Sequence, residues 1–216
     1  PPDGYWIEAQ KILKDHDILL IADEVMTGFG RTGFKFSCED YGLEPDIMIA
    51  GKGMGSGYAS ISGTYSTEAI AESIMNAGYL VMFHTFAALP MSCAASSAVL
   101  KILRHERLCE KVAPLGEKLK ERLTSRLGQH PLVAEIRGKG LLVGIEIVKD
   151  KEQLVSFDEE EKITEQVVSQ GLKEGIFLYP GGTGEYRDII CLGPPYIIGD
   201  EEIDLMVDGV EKVLNH

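Results

Sequence analysis

The sequence predicts an α/β fold, made of part of a large, mainly parallel-sheet domain followed by a small C-terminal α+β domain. Three observations point to it. Two apolar runs without alternation, at residues 18–22 and 47–50, have the pattern of strands buried on both faces of a parallel sheet. Each run ends in chemistry-bearing residues and glycines, Asp23-Glu24 and Gly51-Lys52. From about residue 130 the rhythm changes to short paired strands followed by amphipathic helices, as in a sheet with helices on one face.

Taken in order, residues 5–16 place Trp6, Ala9, Ile12 and Leu13 at helical spacing. The strand at 18–22 follows, then a glycine-rich stretch, the strand at 47–50, and a third strand for the parallel sheet within 58–65. Ser66-Thr67-Glu68 offers hydroxyls to cap a helix. Helices are expected at 90–104, rich in small residues, and at 108–127, amphipathic. Strands at 132–136 and 141–148 join around Gly138-Lys139-Gly140, and a charged helix spans about 158–173. Two short strands (176–179 and 189–192) and a last helix (200–214) complete the chain. The expected domains are 1–107 and 108–216. Three strands are few for a doubly covered parallel sheet, so the first domain reads as the end of a larger one.

The 216-residue chain carries a formal charge of −13, which disfavours nucleic acid or an anionic membrane as its main partner. No apolar run reaches the length of a membrane span, and no basic-then-apolar leader opens the chain. The start at Pro1-Pro2-Asp3-Gly4, without methionine, reads as truncated. Cys38, Cys93, Cys109 and Cys191 are scattered without CxxC spacing, which favours reduced thiols in a cytoplasmic protein over a metal site.

Asp23 and Lys52 end the two apolar strands, and ligands of open α/β sheets sit at the carboxyl ends of strands. Taken singly, an aspartate there is a turn residue and a lysine a solvated charge. Together with Gly51, Gly53, Gly55 and Gly57 they suit a flat cofactor that needs an amine for its aldehyde and a carboxylate for its ring nitrogen.

The run Leu20-Ile21-Ala22-Asp23-Glu24-Val25-Met26-Thr27-Gly28-Phe29-Gly30-Arg31-Thr32-Gly33 is followed by Pro45-Asp46-Ile47 and Gly51-Lys52-Gly53-Met54-Gly55-Ser56-Gly57-Tyr58. This series resembles the signature of the class III aminotransferases, homodimers of fold type I that depend on pyridoxal 5'-phosphate, and the likeness extends to Pro194-Pro195. The resemblance implies that Lys52 and Asp23 are catalytic. Lys52 would form the Schiff base and shuttle the proton, and Asp23 would bind the pyridine nitrogen. Val25 would pack on the ring, and Thr85, in Phe83-His84-Thr85-Phe86, would reach the phosphate bound by the partner subunit. Small amine or ω-amino acid donors and keto acids such as pyruvate would be the substrates.

Departures narrow the likeness. Met26 stands where the ornithine and γ-aminobutyrate branches have glutamine, so the ω-amino acid:pyruvate and amine:pyruvate branches are more similar. Cys191 stands where many members have an arginine clamp for the substrate carboxylate, which leaves Arg187 as the candidate substrate-binding residue. Ala87-Ala88-Leu89-Pro90 replaces a glycine- and asparagine-rich turn. Family members are about twice as long, so the chain is expected to be the C-terminal half. Two alternatives stand beside transamination: a decarboxylase or aminomutase with the same cofactor, and a catalytically silent fragment or interaction module.

Overall fold

The computed structural model describes residues 2–79 and 84–216, which form two compact units, Pro1–Glu110 and Lys111–His216. In the first, α1 (Tyr5–Asp15) precedes β1 (Ile21–Asp23), α2 (Ser37–Asp40), β2 (Ile47–Ala50) and β3 (Gly63–Ser66), then α3 (Glu68–Asn76) and α4 (Pro90–His105). Strands β1 and β2 run parallel, with Ile21 opposite Ile47 and Asp23 opposite Ile49. The carboxylate of Asp46 accepts from the Leu20 amide at 2.8 Å and fixes where β1 enters.

Two expectations are corrected here. β1 starts at Ile21, and Ile18, Leu19 and the paired Ile21 are all exposed, so the run expected to be buried on both faces is left uncovered within this unit. β3 pairs antiparallel with β2, Ile47 facing Ser66 and Ala50 facing Gly63. The link from β2 to β3 holds only a 3-10 turn (Lys52–Met54) and bends, whereas a parallel return needs a crossover, usually a helix.

In the second unit, α5 (Leu108–Leu127, whose first residues belong to the first unit) leads to β4 (Val133–Lys139) and β5 (Leu142–Ile147). After them come α6 (Ile163–Lys173), β6 (Tyr179–Gly181), β7 (Ile189–Leu192) and α7 (Asp200–Leu214). The sheet order is β4-β5-β7-β6, antiparallel throughout. Alternation sends Val143, Ile145, Ile147, Ile190 and Leu192 to one face, where they meet Leu119, Leu123 and Leu127 of α5 and Ile203, Val207 and Val210 of α7. Burying each such side chain contributes about 1.5–3 kcal/mol. Gly116 lets α5 lie against the turn after β4, since a Cβ there would sit 2.1 Å from the Gly140 carbonyl oxygen. The charged helix expected at 158–173 is split. A 3-10 turn (Glu159–Glu161) precedes α6, with Lys162 at φ 47° between them. Among the described residues no helix is long and apolar enough to cross a membrane.

Candidate active site

Parallel pairing brings the carboxyl ends of β1 and β2 side by side in the first unit. Neighbouring strands lie about 4.8 Å apart, so residues leaving them share one edge of the sheet. Asp23 is the last residue of β1, exposed, and its Oδ1 accepts from the Val25 amide at 3.0 Å, which sets the orientation of the carboxylate.

At the end of β2, Gly51 is extended (φ −171°) and the chain tightens into the 3-10 turn. The Lys52 carbonyl accepts from the Gly55 and Ser56 amides at 3.1 and 2.9 Å. Lys52 itself sits at φ 39°, in the left-handed region that a residue with a Cβ rarely occupies. Such strain is retained only where the surroundings over-determine the backbone. They do so here. The buried Ser96 of α4 donates its hydroxyl to the Met54 carbonyl at 2.9 Å, and a Cβ on Gly55 would lie 2.4 Å from the Ala59 carbonyl oxygen. The Lys52 side chain is exposed, and its Nζ reaches the Sδ of Met26, three residues after Asp23. The amine and the carboxylate thus leave adjacent strands at one edge.

The loop after β1 is built on Glu24, which the sequence reading gave no role. Strand alternation turns its side chain away from that of Asp23 and into the protein, where only 2% of it is exposed. Its Oε1 accepts from the Cys38 amide at 2.7 Å and its Oε2 from the Thr27 hydroxyl. Burial, followed by the Glu24 charge, pushes the Cys38 thiol up from its ordinary value. Phe29 and Phe36 close the loop edge to face, with centroids 5.2 Å apart. Ser96 was also passed over. The available signal was the same for both, a polar residue at a position that must face inward.

Val25 is half-buried beside Asp23. Thr85 is exposed, in a turn where the Ala87 amide donates to the His84 carbonyl at 2.9 Å and Ala88 has φ 52°. Phe83, quoted with Thr85 in the sequence, lies outside the described residues. An open cleft of about 630 Å³ runs between the Ser60–Ser62 segment and the turn holding His84, Phe86 and Ala87. Among the described residues no hydrogen bond of this chain joins Thr85 to Asp23 or Lys52.

Arg187 belongs to the second unit. Its Nη1 donates to the Gly184 carbonyl at 3.1 Å and its Nη2 to the Phe157 carbonyl at 2.8 Å, bonds that tie two loops together. Cys191 on β7 lies opposite Gly144, and burial raises its thiol while the charge of Arg137 lowers it. Arg137 is itself paired with Glu135 at 2.6 Å and with Glu146. No group of three or more potential metal ligands occurs among the described residues.

The residues at the edge of the first sheet fit a pyridoxal cofactor. An amine and a carboxylate emerge together, and glycines allow the backbone to approach a ring.

The sequence profile of class-III aminotransferases matches residues 1–214. The chain is 37% identical over 211 residues to the uncharacterized aminotransferase YodT of Bacillus subtilis, covering 96% of this chain and 48% of that protein. It is 33% identical over 223 residues to the hypotaurine/taurine–pyruvate aminotransferase of Paracoccus denitrificans, covering 99% and 48%. Among solved structures, a thermostable (S)-enantioselective omega-transaminase from Thermomicrobium roseum superposes with a TM-score of 0.92 at 38% identity, covering 100% of this chain and 47% of that one. The chain therefore spans about half the length of the curated relatives it matches.

Proposed function

Because the chain belongs to the class-III aminotransferases, which depend on pyridoxal phosphate, we propose that the full-length protein transfers an amino group from a small amine or ω-amino acid to a keto acid such as pyruvate. One observation carries this reading: Lys52, strained at φ 39°, and Asp23 leave adjacent parallel strands at the same sheet edge. Bound pyridoxal phosphate supplies an electron-accepting ring, which lets a proton leave the carbon that bears the substrate amine. Lys52 Nζ would hold the cofactor through its aldehyde and, once free, would carry that proton. The Asp23 carboxylate keeps a proton on the ring nitrogen. Val25 packs on the ring face, and Thr85 donates its hydroxyl to the phosphate held by the partner subunit of a homodimer.

The choice of donor is supported by Met26, whose thioether occupies the loop beside Lys52, and by relatives named for hypotaurine, taurine and pyruvate. Arg187 is the candidate for a substrate carboxylate. Two of its five N–H groups are used on carbonyls, which leaves donors for a ligand. Residues 1–107 are proposed as the C-terminal part of the large cofactor domain, supported by α1 and α3, in which no residue is buried. Residues 108–216 are the small domain. The free state of all four cysteines supports a cytoplasmic location.

The test is Lys52→Ala in the full-length protein. Turnover should fall by about 10²–10⁴-fold or more, with loss of the visible band of lysine-bound cofactor and of its fixation by borohydride. Normal turnover in this variant ends the reading.

A further inference from the structure

Glu24 is a buried carboxylate that the proposed chemistry does not use. Four hydrogen bonds tie it to β2, which leads to Lys52, and to the loop that follows Asp23. Its amide donates to the Ile49 carbonyl at 2.8 Å, which carries the β1–β2 pairing one residue past Asp23. Its carbonyl accepts from the Gly28 amide at 2.9 Å and closes the first turn of the loop. Its carboxylate spans from Thr27 to the Cys38 amide, fourteen residues along the chain. The loop so fixed lies under the lysine turn. A Cβ on Gly53, the neighbour of Lys52, would come within 3.2 Å of the Phe29 Cβ and 3.5 Å of the Gly28 carbonyl oxygen. Movement of residues 24–29 is therefore transmitted to Asp23 by the chain and to Lys52 by contact.

We propose that Glu24 is a positioning residue. By clamping the Thr27 hydroxyl and the Cys38 amide, it holds the Asp23 carboxylate and the Lys52 amine at the separation that one pyridine ring requires. The proposal rests on the cofactor reading above. A carboxylate is suited to the task because hydrogen bonds to a charged acceptor are stronger than neutral ones, and burial removes competing water.

The full-length protein is compared as wild type, Glu24→Ala, Glu24→Gln and Thr27→Val, well below the melting temperature of each. Cofactor dissociation constants, the position of the visible band, and kcat and KM are measured. Glu24→Ala should weaken cofactor binding about tenfold or more and shift the band. Glu24→Gln keeps an acceptor oxygen for the Cys38 amide and an NH2 that can donate to the Thr27 hydroxyl oxygen, so both bonds survive and it should bind cofactor within a few-fold of wild type. A merely structural residue would lower the melting temperature while leaving the band of the folded protein in place. Cofactor affinity within about twofold of wild type, with an unshifted band, in Glu24→Ala overturns the proposal. So does a Glu24→Gln protein as impaired as Glu24→Ala. Should Glu24→Ala fail to fold, Thr27→Val decides, because it removes one of the two bonds: a shifted band supports the clamp and an unshifted band overturns it. A wild-type protein that binds no cofactor sinks the cofactor reading itself. A wild-type band shared by every variant sinks only the role of Glu24.

Discussion

Gly55 shows how tightly single residues are held around the candidate amine. Its own φ of −106° is open to any residue, so conformation does not demand glycine there. Space does: an added Cβ would stand 2.4 Å from the Ala59 carbonyl oxygen and 3.0 Å from Ile61 Cγ2. Backbone at that distance has to move, and overpacking of this kind costs about 1–3 kcal/mol. Gly55→Ala should therefore lower stability against denaturant and reduce occupancy by cofactor. Gly53→Ala, which meets the Phe29 side chain at 3.2 Å, should do less of both. Unchanged stability and cofactor absorbance in Gly55→Ala would show that the turn is looser than its geometry. At this scale the placing of Asp23 and Lys52 at the ends of neighbouring strands was legible because two strong signals coincide, apolar runs and glycine spacing. Glu24 and Ser96 were not. Glu24 stands one residue past β1 and Ser96 lies within α4, and periodicity gives which way such a side chain points but not which polar group it meets there.

Between elements, α5 and α7 combine an apolar seam with a charged clasp. Leu119, Leu123 and Leu127 face Ile203, Val207 and Val210, while Lys118, Arg122 and Arg126, spaced four apart on α5, reach the acidic side of α7. Lys118 meets Asp200 at 2.8 Å, Arg122 meets Asp200 and Asp204 at 2.8 Å, and Arg126 meets Asp208 at 3.1 Å and also Glu211. The hydrogen bond from Lys118 holds Asp200 below its ordinary value, and that from Arg126 holds Glu211 below its own. A carboxylate depressed in the folded state stabilises at neutral pH and loses that contribution as the pH falls through its folded value. The double variant Asp200→Asn with Glu211→Gln should therefore flatten the decline of melting temperature below about pH 5. Asp200 is exposed and Glu211 only half-buried, so the effect should be small and should shrink in high salt. An acid branch as steep as that of wild type would assign it to other groups. Element types were legible from periodicity in nearly every case, but pairing was less so. A hydrophobic pattern marks side chains that burial would suit, not the partner that would provide it. For that reason the apolar run at 18–22 shortened to Ile21–Asp23 and the third strand turned antiparallel.

At the scale of the assembled protein, the proposal makes Thr85 act in the partner's site, and a symmetric dimer gives that idea a sharp test. Thr85→Ala should weaken cofactor binding about tenfold or more, since one hydrogen bond to a charged phosphate is lost. That loss alone does not tell whether the threonine serves its own subunit. Mixing does. In a closed twofold dimer each site is used once in each direction. A heterodimer of a Lys52→Ala subunit and a Thr85→Ala subunit then combines an intact lysine from one with an intact threonine from the other. One of its two sites is wild type. Random reassociation makes half of the dimers mixed, so about a quarter of wild-type activity should return. If Thr85 instead completes the site of its own chain, every site in the mixture lacks one group or the other. Activity then stays at the level of the Thr85→Ala protein present. The comparison needs only subunit exchange under mild denaturant and a rate measurement, and recovery above the additive value separates the two geometries.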